Sequence, residues 1–257
     1  RAEEHGLNPE QYHFSSISSE LLKAIDSLRN TSRYSQLANT ELLLSDAILK
    51  YSYHLRYGLV HPKKIFSDSY YLPIDDSSKG DLFQPLKQEN IIQYLNGIQP
   101  ESKRYKDLQQ ALKYYNRFKD IEWPPIPIPT KKIEVGAKDS TISFIIDRLI
   151  KLEYLDTSKV KIDDFTFYDS TLAEYVKRFQ KNNGLNEDGV IGKGTVEKIN
   201  ITPQQYIDKI KINLERFRWN DYSDTGKYIL VNVPDFMLNI FDSGKKVFIT
   251  KVCTGSK

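Results

Sequence analysis

Between Tyr168 and Ile199, helix, turn and second-helix signals follow one another in an order that leaves little freedom for the fold. Leu172, Val176 and Phe179 recur at helical spacing. Thr171 and Glu174 are placed as a capping box, and Gly184 is available for a left-handed exit. Asp188-Gly189 then supplies a tight turn, Gly192 and Gly194 allow backbone angles closed to other residues, and Thr195 can cap a further helix carrying Val196 and Ile199. Upstream, Ile142, Ile145, Leu149 and Leu152 repeat at steps of three and four after the candidate caps Asp139 and Ser140. The expectation is three small helices around one core.

These residues resemble the peptidoglycan-binding domain appended to bacterial wall enzymes. Its hallmark is a helix ending in Phe-Gln, then Gly-Leu, then Asp-Gly-x-x-Gly-x-x-Thr. Here the pattern reads Phe179-Gln180, Gly184-Leu185, Asp188-Gly189-Val190-Ile191-Gly192 and Thr195. The resemblance spans roughly residues 134–200 and implies peptidoglycan as the partner. The exposed side of the helix ending at Asn182 presents Lys177, Lys181 and Asn182 as candidate wall contacts, against the competing reading of plain solvent-facing residues. Tyr168 and Tyr175 could stack on sugars, although Tyr175 could equally support the core.

The rest of the chain divides around this module. Residues 1–122 read as a helical domain. Ser18 or Ser19 can cap a helix with Leu21, Leu22, Ile25 and Leu28; Asn39 or Thr40 starts another, whose stripe of Leu44, Ile48, Tyr51 and Leu55 stops at Gly58. Further helices are expected over Leu86–Leu95 and Ser102–Phe118, with Ser67–Pro85 as an irregular excursion. Four prolines between Trp123 and Pro129 rule out helix, so residues 123–133 form an extended connector, with Trp123 and the alternating isoleucines packed against a domain. From 201 onward, Thr202 and Gln205 make a capping box with Pro203 in the first turn, and Tyr206, Ile210, Leu214 and Phe217 line one helix face. Ile229, Val231 and Val233 then alternate, as do Phe236, Leu238 and Ile240, and Asp242-Ser243-Gly244 leads to a third strand over Val247–Val252.

Two further stretches extend the resemblance. Asn213-Leu214-Glu215-Arg216-Phe217-Arg218-Trp219 with Tyr228–Pro234 and Phe236-Met237-Leu238 is similar to the opening of the catalytic domain of large L,D-transpeptidases. His5–Tyr12 and Leu55–Pro62 resemble the helical scaffold domain of that group. The implied class is α+β, with a scaffold domain at 1–122, a peptidoglycan-binding domain at 134–200, and at 201–257 a linking helix and the first strands of an incomplete, β-rich catalytic domain. The resemblance implies an enzyme that joins peptidoglycan stem peptides. A cysteine thiolate attacks the amide after the third residue of a tetrapeptide, releases D-alanine and passes the acyl group to a neighbouring amine. The histidine and Ser/Thr-His-Gly-Cys motif of that family are not in this sequence, so the expectation is a chain cut before them, inactive by itself and without catalytic residues. A wall-binding scaffold or the binding portion of a wall hydrolase is the alternative.

Composition narrows what else the chain could be. Its net charge of +3 is spread over 37 basic and 34 acidic residues, and the pairs Lys103-Arg104-Lys106 and Lys209-Lys211 are interrupted, which argues against nucleic acid. One cysteine, Cys253, excludes an internal disulfide and reads as a buried strand residue without chemistry. His5, His13, His54 and His61 lack metal-ligand spacing, and Asp75-Asp76 and Asp163-Asp164 read as solvated turns; no cofactor and no metal are expected. The chain starts at Arg1, so a removed N-terminal anchor would be its link to a membrane, and a monomer in the periplasm or cell envelope is expected.

Overall fold

The computed structural model describes residues 1–26, 33–67, 81–158, 160–219, 226–253 and 255. In chain order it contains α1 (Phe14–Asp26), α2 (Arg33–Tyr57), α3 (Lys63–Phe66), α4 (Ile91–Ile98), α5 (Lys103–Asn116), α6 (Thr141–Lys151), α7 (Ser170–Asn182), α8 (Lys193–Ile199) and α9 (Pro203–Trp219). Strands β1 (Lys227–Asn232), β2 (Met237–Asp242) and β3 (Lys245–Lys251) follow as one antiparallel sheet in that order, so the class is α+β. Two compact units emerge: Arg1–Tyr114 with Asp208–Lys257, and Tyr115–Ile207.

In the first unit a buried polar network joins distant parts of the sequence. Arg218 on α9 donates to the His5 carbonyl (2.9 Å), to Tyr105 Oη (3.2 Å) and to Glu215 Oε2 (2.7 Å). His5 Nδ1 also lies 2.8 Å from Tyr105 Oη. A buried guanidinium needs such partners, because desolvation without them costs several kcal/mol. Burial first, and then the neighbouring Arg218 cation, depress the His5 pKa from 6.5 to about 4. The folded state therefore keeps His5 neutral where the unfolded chain already binds a proton. Stability from this residue is present above pH 6.5 and falls as the pH drops toward 4, by up to about 3 kcal/mol. Urea midpoints at pH 7.5 and 4.5 should show that loss, and a His5→Gln variant should lose much less.

Glu215 also fixes the end of α2. Its Oε1 accepts from Val60 N (3.0 Å) and Trp219 Nε1 (3.0 Å). Gly58 sits beneath it with φ +85°, and a Cβ there would stand 2.5 Å from Glu215 Oε1 and 2.9 Å from the Trp219 ring. Gly58→Ala should therefore cost about 2–3 kcal/mol, measurable by urea unfolding.

The second unit has its own core of Ile142, Ile145, Leu149, Leu172, Val176 and Phe179 with the residues around them, matching the stripes read from sequence. The proline-rich connector packs onto it through Trp123 and Ile126, while Ile128, expected to pack with them, is exposed. Ile126 is buried and exchanges two hydrogen bonds with the Asn200 side chain, at 2.8 and 2.9 Å. Arg148 lies 3.9 Å above the Trp123 ring and donates to Pro124 O (2.7 Å) and Ile199 O (3.3 Å).

Several starts differ from expectation. α7 is capped not by Thr171 but by Asp169, whose carboxylate accepts from Leu172 N at 2.7 Å; an anion two residues earlier, at the helix start, also meets the helix dipole. α1 and α2 begin well before Ser18 and Thr40, whose hydroxyls instead donate to the Phe14 and Gln36 carbonyls one turn back, at 2.8 Å each. The expected helix from Leu86 begins only at Ile91, capped by Asn90, and Gln84–Lys87 is a 3-10 turn. α8 starts after Gly192, and Thr195 is turned inward. Phe236 leaves the strand pattern at φ 52°, and Cys253 lies exposed beyond the end of β3 rather than buried in it. Asp75, Asp76 and most of the Ser67–Pro85 excursion lie outside the described residues. The α9 capping box is formed as read: Thr202 N donates to Gln205 Oε1 (2.9 Å) and Gln205 N to Thr202 Oγ1 (3.2 Å).

Candidate functional site

The Phe-Gln and Asp-Gly hallmark residues turn inward and build a lock. Gln180, 2% exposed at the end of α7, accepts from Gly189 N (2.8 Å) through Oε1. Its Nε2 reaches Val190 O (3.0 Å), Asp188 Oδ1 (3.0 Å) and Thr195 Oγ1 (3.2 Å). Thr195 donates in turn to Val190 O (3.1 Å), and Asp188 Oδ1 accepts from Val190 N (2.8 Å), which holds that carboxylate below its usual range. A loop of this kind buries backbone groups that no helix or sheet satisfies, and one amide side chain with a hydroxyl supplies nearly all the partners. Gly189 at φ +73° is needed in the same turn. Tyr168 belongs to the lock as well. It is fully buried and donates to Gly189 O, so it cannot stack on a sugar, contrary to one expectation. Tyr175 is half-buried against the core.

What this lock positions is the outer face of α7. Lys177 and Lys181, four residues apart, share that face, and Asn182 follows at the end of the helix, exposed. The Lys177 ammonium meets Glu174 at 2.7 Å while its stem lies along Gly189; Lys181 meets Glu187 at 3.4 Å. These are exposed ion pairs, worth about 0–1 kcal/mol each, so either lysine can exchange its partner for a ligand carboxylate at little cost. The helix face thus places two exchangeable cations beside a rigid turn. The structure puts Lys177 and Lys181 on one helix face; among the described residues no side-chain hydrogen bond or ion pair holds Asn182.

Sequence reading missed an aromatic feature of the same unit. Phe144, Phe165 and Phe167 are all exposed. The bridge between Lys138 and Phe167, with Asp139 N donating to Thr166 O at 2.9 Å, sets the Phe165–Phe167 segment beside the approach to α6, whose first turns carry Phe144. Phe144 falls between Ile142 and Ile145 and off their buried stripe, which was the available signal. Among the described residues no group of three or more His, Cys, Asp or Glu could hold a metal ion, and no helix is long and apolar enough to cross a membrane.

Family models place these features. Residues 1–112 match the scaffold domain, a domain found in L,D-transpeptidases, and residues 139–199 match the peptidoglycan binding domain. No curated protein matches this chain. The chain thus carries a scaffold domain followed by a peptidoglycan-binding domain, and this pairing supports a role in cell-wall binding.

Proposed function

We propose that the chain is the wall-binding, non-catalytic front part of a periplasmic L,D-transpeptidase. In this reading the scaffold domain and the peptidoglycan-binding domain position a cysteine acyltransferase that cross-links stem peptides. The observation that carries it is the sheet that follows α9. Ile229, Val231, Leu238, Ile240 and Phe248 fall on one face by the strand register, and Ile229 and Phe248 are 63% and 51% exposed. The other face is engaged: Tyr228 and Phe241 stack at 4.7 Å, and Arg104 of α5 lies 5.7 Å from the Tyr228 ring and donates to its hydroxyl at 3.0 Å. Ile249 on that same face is 52% exposed, so the sheet presents apolar area on both sides, a surface on which a further layer can pack. A catalytic domain built on β1–β3 would supply it.

Wall contact is assigned to the outer face of α7, with Lys177 and Lys181 meeting stem-peptide carboxylates. The double variant Lys177→Ala, Lys181→Ala should lower retention on purified sacculi roughly threefold to tenfold, and more at low than at high salt. The encoded sequence past Lys257 tests the enzymatic part. A Ser/Thr-His-Gly-Cys motif with an upstream histidine supports it; a zinc-ligand set would point to an amidase, and a stop codon to a wall-binding scaffold. Chain 1–257 itself should show no exchange of labelled D-amino acids into tetrapeptide muropeptides, and measurable exchange contradicts the assignment.

A further inference from the structure

A cavity of about 460 Å³ opens in the first unit between the C-terminal half of α2, the segment Asp81–Pro85 and α4. That volume lies within the range of roughly 300–1,000 Å³ common to small-ligand sites. Its walls carry the rings of Tyr53, Tyr57, Phe83 and Tyr94. Phe83, 60% exposed, stands at the rim.

The polar groups of the cavity define the ligand. Ser52 is buried, contributes to the lining, and its Oγ has no hydrogen-bond partner. An orphaned buried hydroxyl costs about as much as a lost hydrogen bond and calls for a partner. His54 lines the same cavity. Burial lowers its pKa, and Tyr12 Oη lies 3.0 Å from Nδ1; with Tyr12 donating there, Nε2 bears the proton and is a donor. The charges of the lining are already engaged. Lys50 pairs with Asp46 at 2.7 Å, Asp81 pairs with Lys87 at 2.5 Å, and the Arg56 guanidinium lies over the Tyr57 ring at 5.2 Å. A neutral ligand with an apolar face and a few hydroxyl or amide groups leaves all of these contacts in place and uses the rings as well.

Such a ligand is a neutral sugar, whose C–H face lies on aromatic rings while its polar edge takes hydrogen bonds. We propose that this cavity is a second wall-binding site, holding an N-acetylated amino sugar of the glycan strand with its acetamido group toward Ser52 and His54. The proposal rests on the wall-binding reading of the chain but uses none of the residues of α7.

The probe is the peptide-free tetrasaccharide of N-acetylglucosamine, titrated calorimetrically into chain 1–257. Saturable binding is expected, with Phe83→Ala and Tyr53→Ala each weakening it at least roughly fivefold, as for loss of one stacked ring. Cellotetraose, which lacks the acetamido groups, should bind more weakly by a similar factor. The circular dichroism melt of Phe83→Ala should match the parent, since that side chain is 60% exposed, whereas Tyr53→Ala also removes ring contacts to Tyr57 and His54 and is read beside its melt. Absence of tetrasaccharide binding, binding unchanged in both variants, or equal binding of cellotetraose overturns the proposal. Retention on whole sacculi separates this from the function proposed above: Phe83→Ala should still be retained through the peptidoglycan-binding domain. Loss of retention by the unmodified chain would instead count against that broader reading.

Discussion

Replacing Arg218 by leucine should cost about 3–5 kcal/mol and leave the first unit marginally folded, because breaking a buried ion pair strands its partners without water. Arg218 is 4% exposed, and its guanidinium serves the His5 carbonyl, Tyr105 Oη and Glu215 at once. Leucine satisfies none of them. Glu215 would remain beneath Trp219 and Val60 with its countercharge gone. The change can be followed through Trp219, in a Trp123→Phe background, by urea unfolding at pH 7.5. A second effect has the opposite sign at low pH: without the cation beside it, His5 should titrate closer to its ordinary value, so the loss of stability between pH 6.5 and 4 should shrink. A variant as stable as the parent, with an unchanged acid limb, contradicts the network.

Gln180→Leu should be nearly as severe in the second unit, at about 3–4 kcal/mol. Leucine has a similar volume and would keep the packing against α7, so the loss reports hydrogen bonds rather than a cavity. Gly189 N loses its acceptor outright, and Val190 O keeps only Thr195. Amide exchange at Gly189 and Val190 should accelerate far more than exchange in the middle of α6, which shares no bond with Gln180. Gln180→Glu is the informative companion. It keeps the acceptor for Gly189 but sets a carboxylate against Asp188 and the Val190 carbonyl, so it should destabilise at neutral pH and recover as the pH falls through the carboxylate range. Equal exchange rates in parent and leucine variant would remove the lock.

These two residues mark where the sequence stops being legible. Periodicity located the cores well: Ile142, Ile145 and Leu149 on α6, Leu172, Val176 and Phe179 on α7, and the alternation of β1 and β2 are all patterns that a local window can see. The box between Thr202 and Gln205 was equally visible, because both members lie within one turn. Gln180 and Arg218 stand in the stretches that carry the family resemblance, but apart from the Glu215–Arg218 spacing of three no local pattern says what they bond. Their partners lie 213 residues away at His5 and 8 to 15 residues away around a turn, and their residue types are ordinarily exposed. Helix starts failed for a related reason. Ser18 and Thr40 have the chemistry of a cap, but the same hydroxyls can bond a carbonyl one turn back, and only the preceding residues decide between the two. Of the site, the shared face of Lys177 and Lys181 followed from their spacing of four. The inward turn of Tyr168 did not, since it depends on where Gly189 is brought. The exposed phenylalanines and the orphaned Ser52 emerge only once burial is known.

Cosedimentation of purified chain 1–257 with sacculi, set against soluble muropeptides as competitor, tests the wall-binding role most directly. Saturable retention is predicted, competed by muropeptides, sharply reduced by Gln180→Leu and by Lys177→Ala with Lys181→Ala, and unaffected by Ile229→Asp on the sheet. Retention no greater than that of an unrelated protein of equal charge would contradict it.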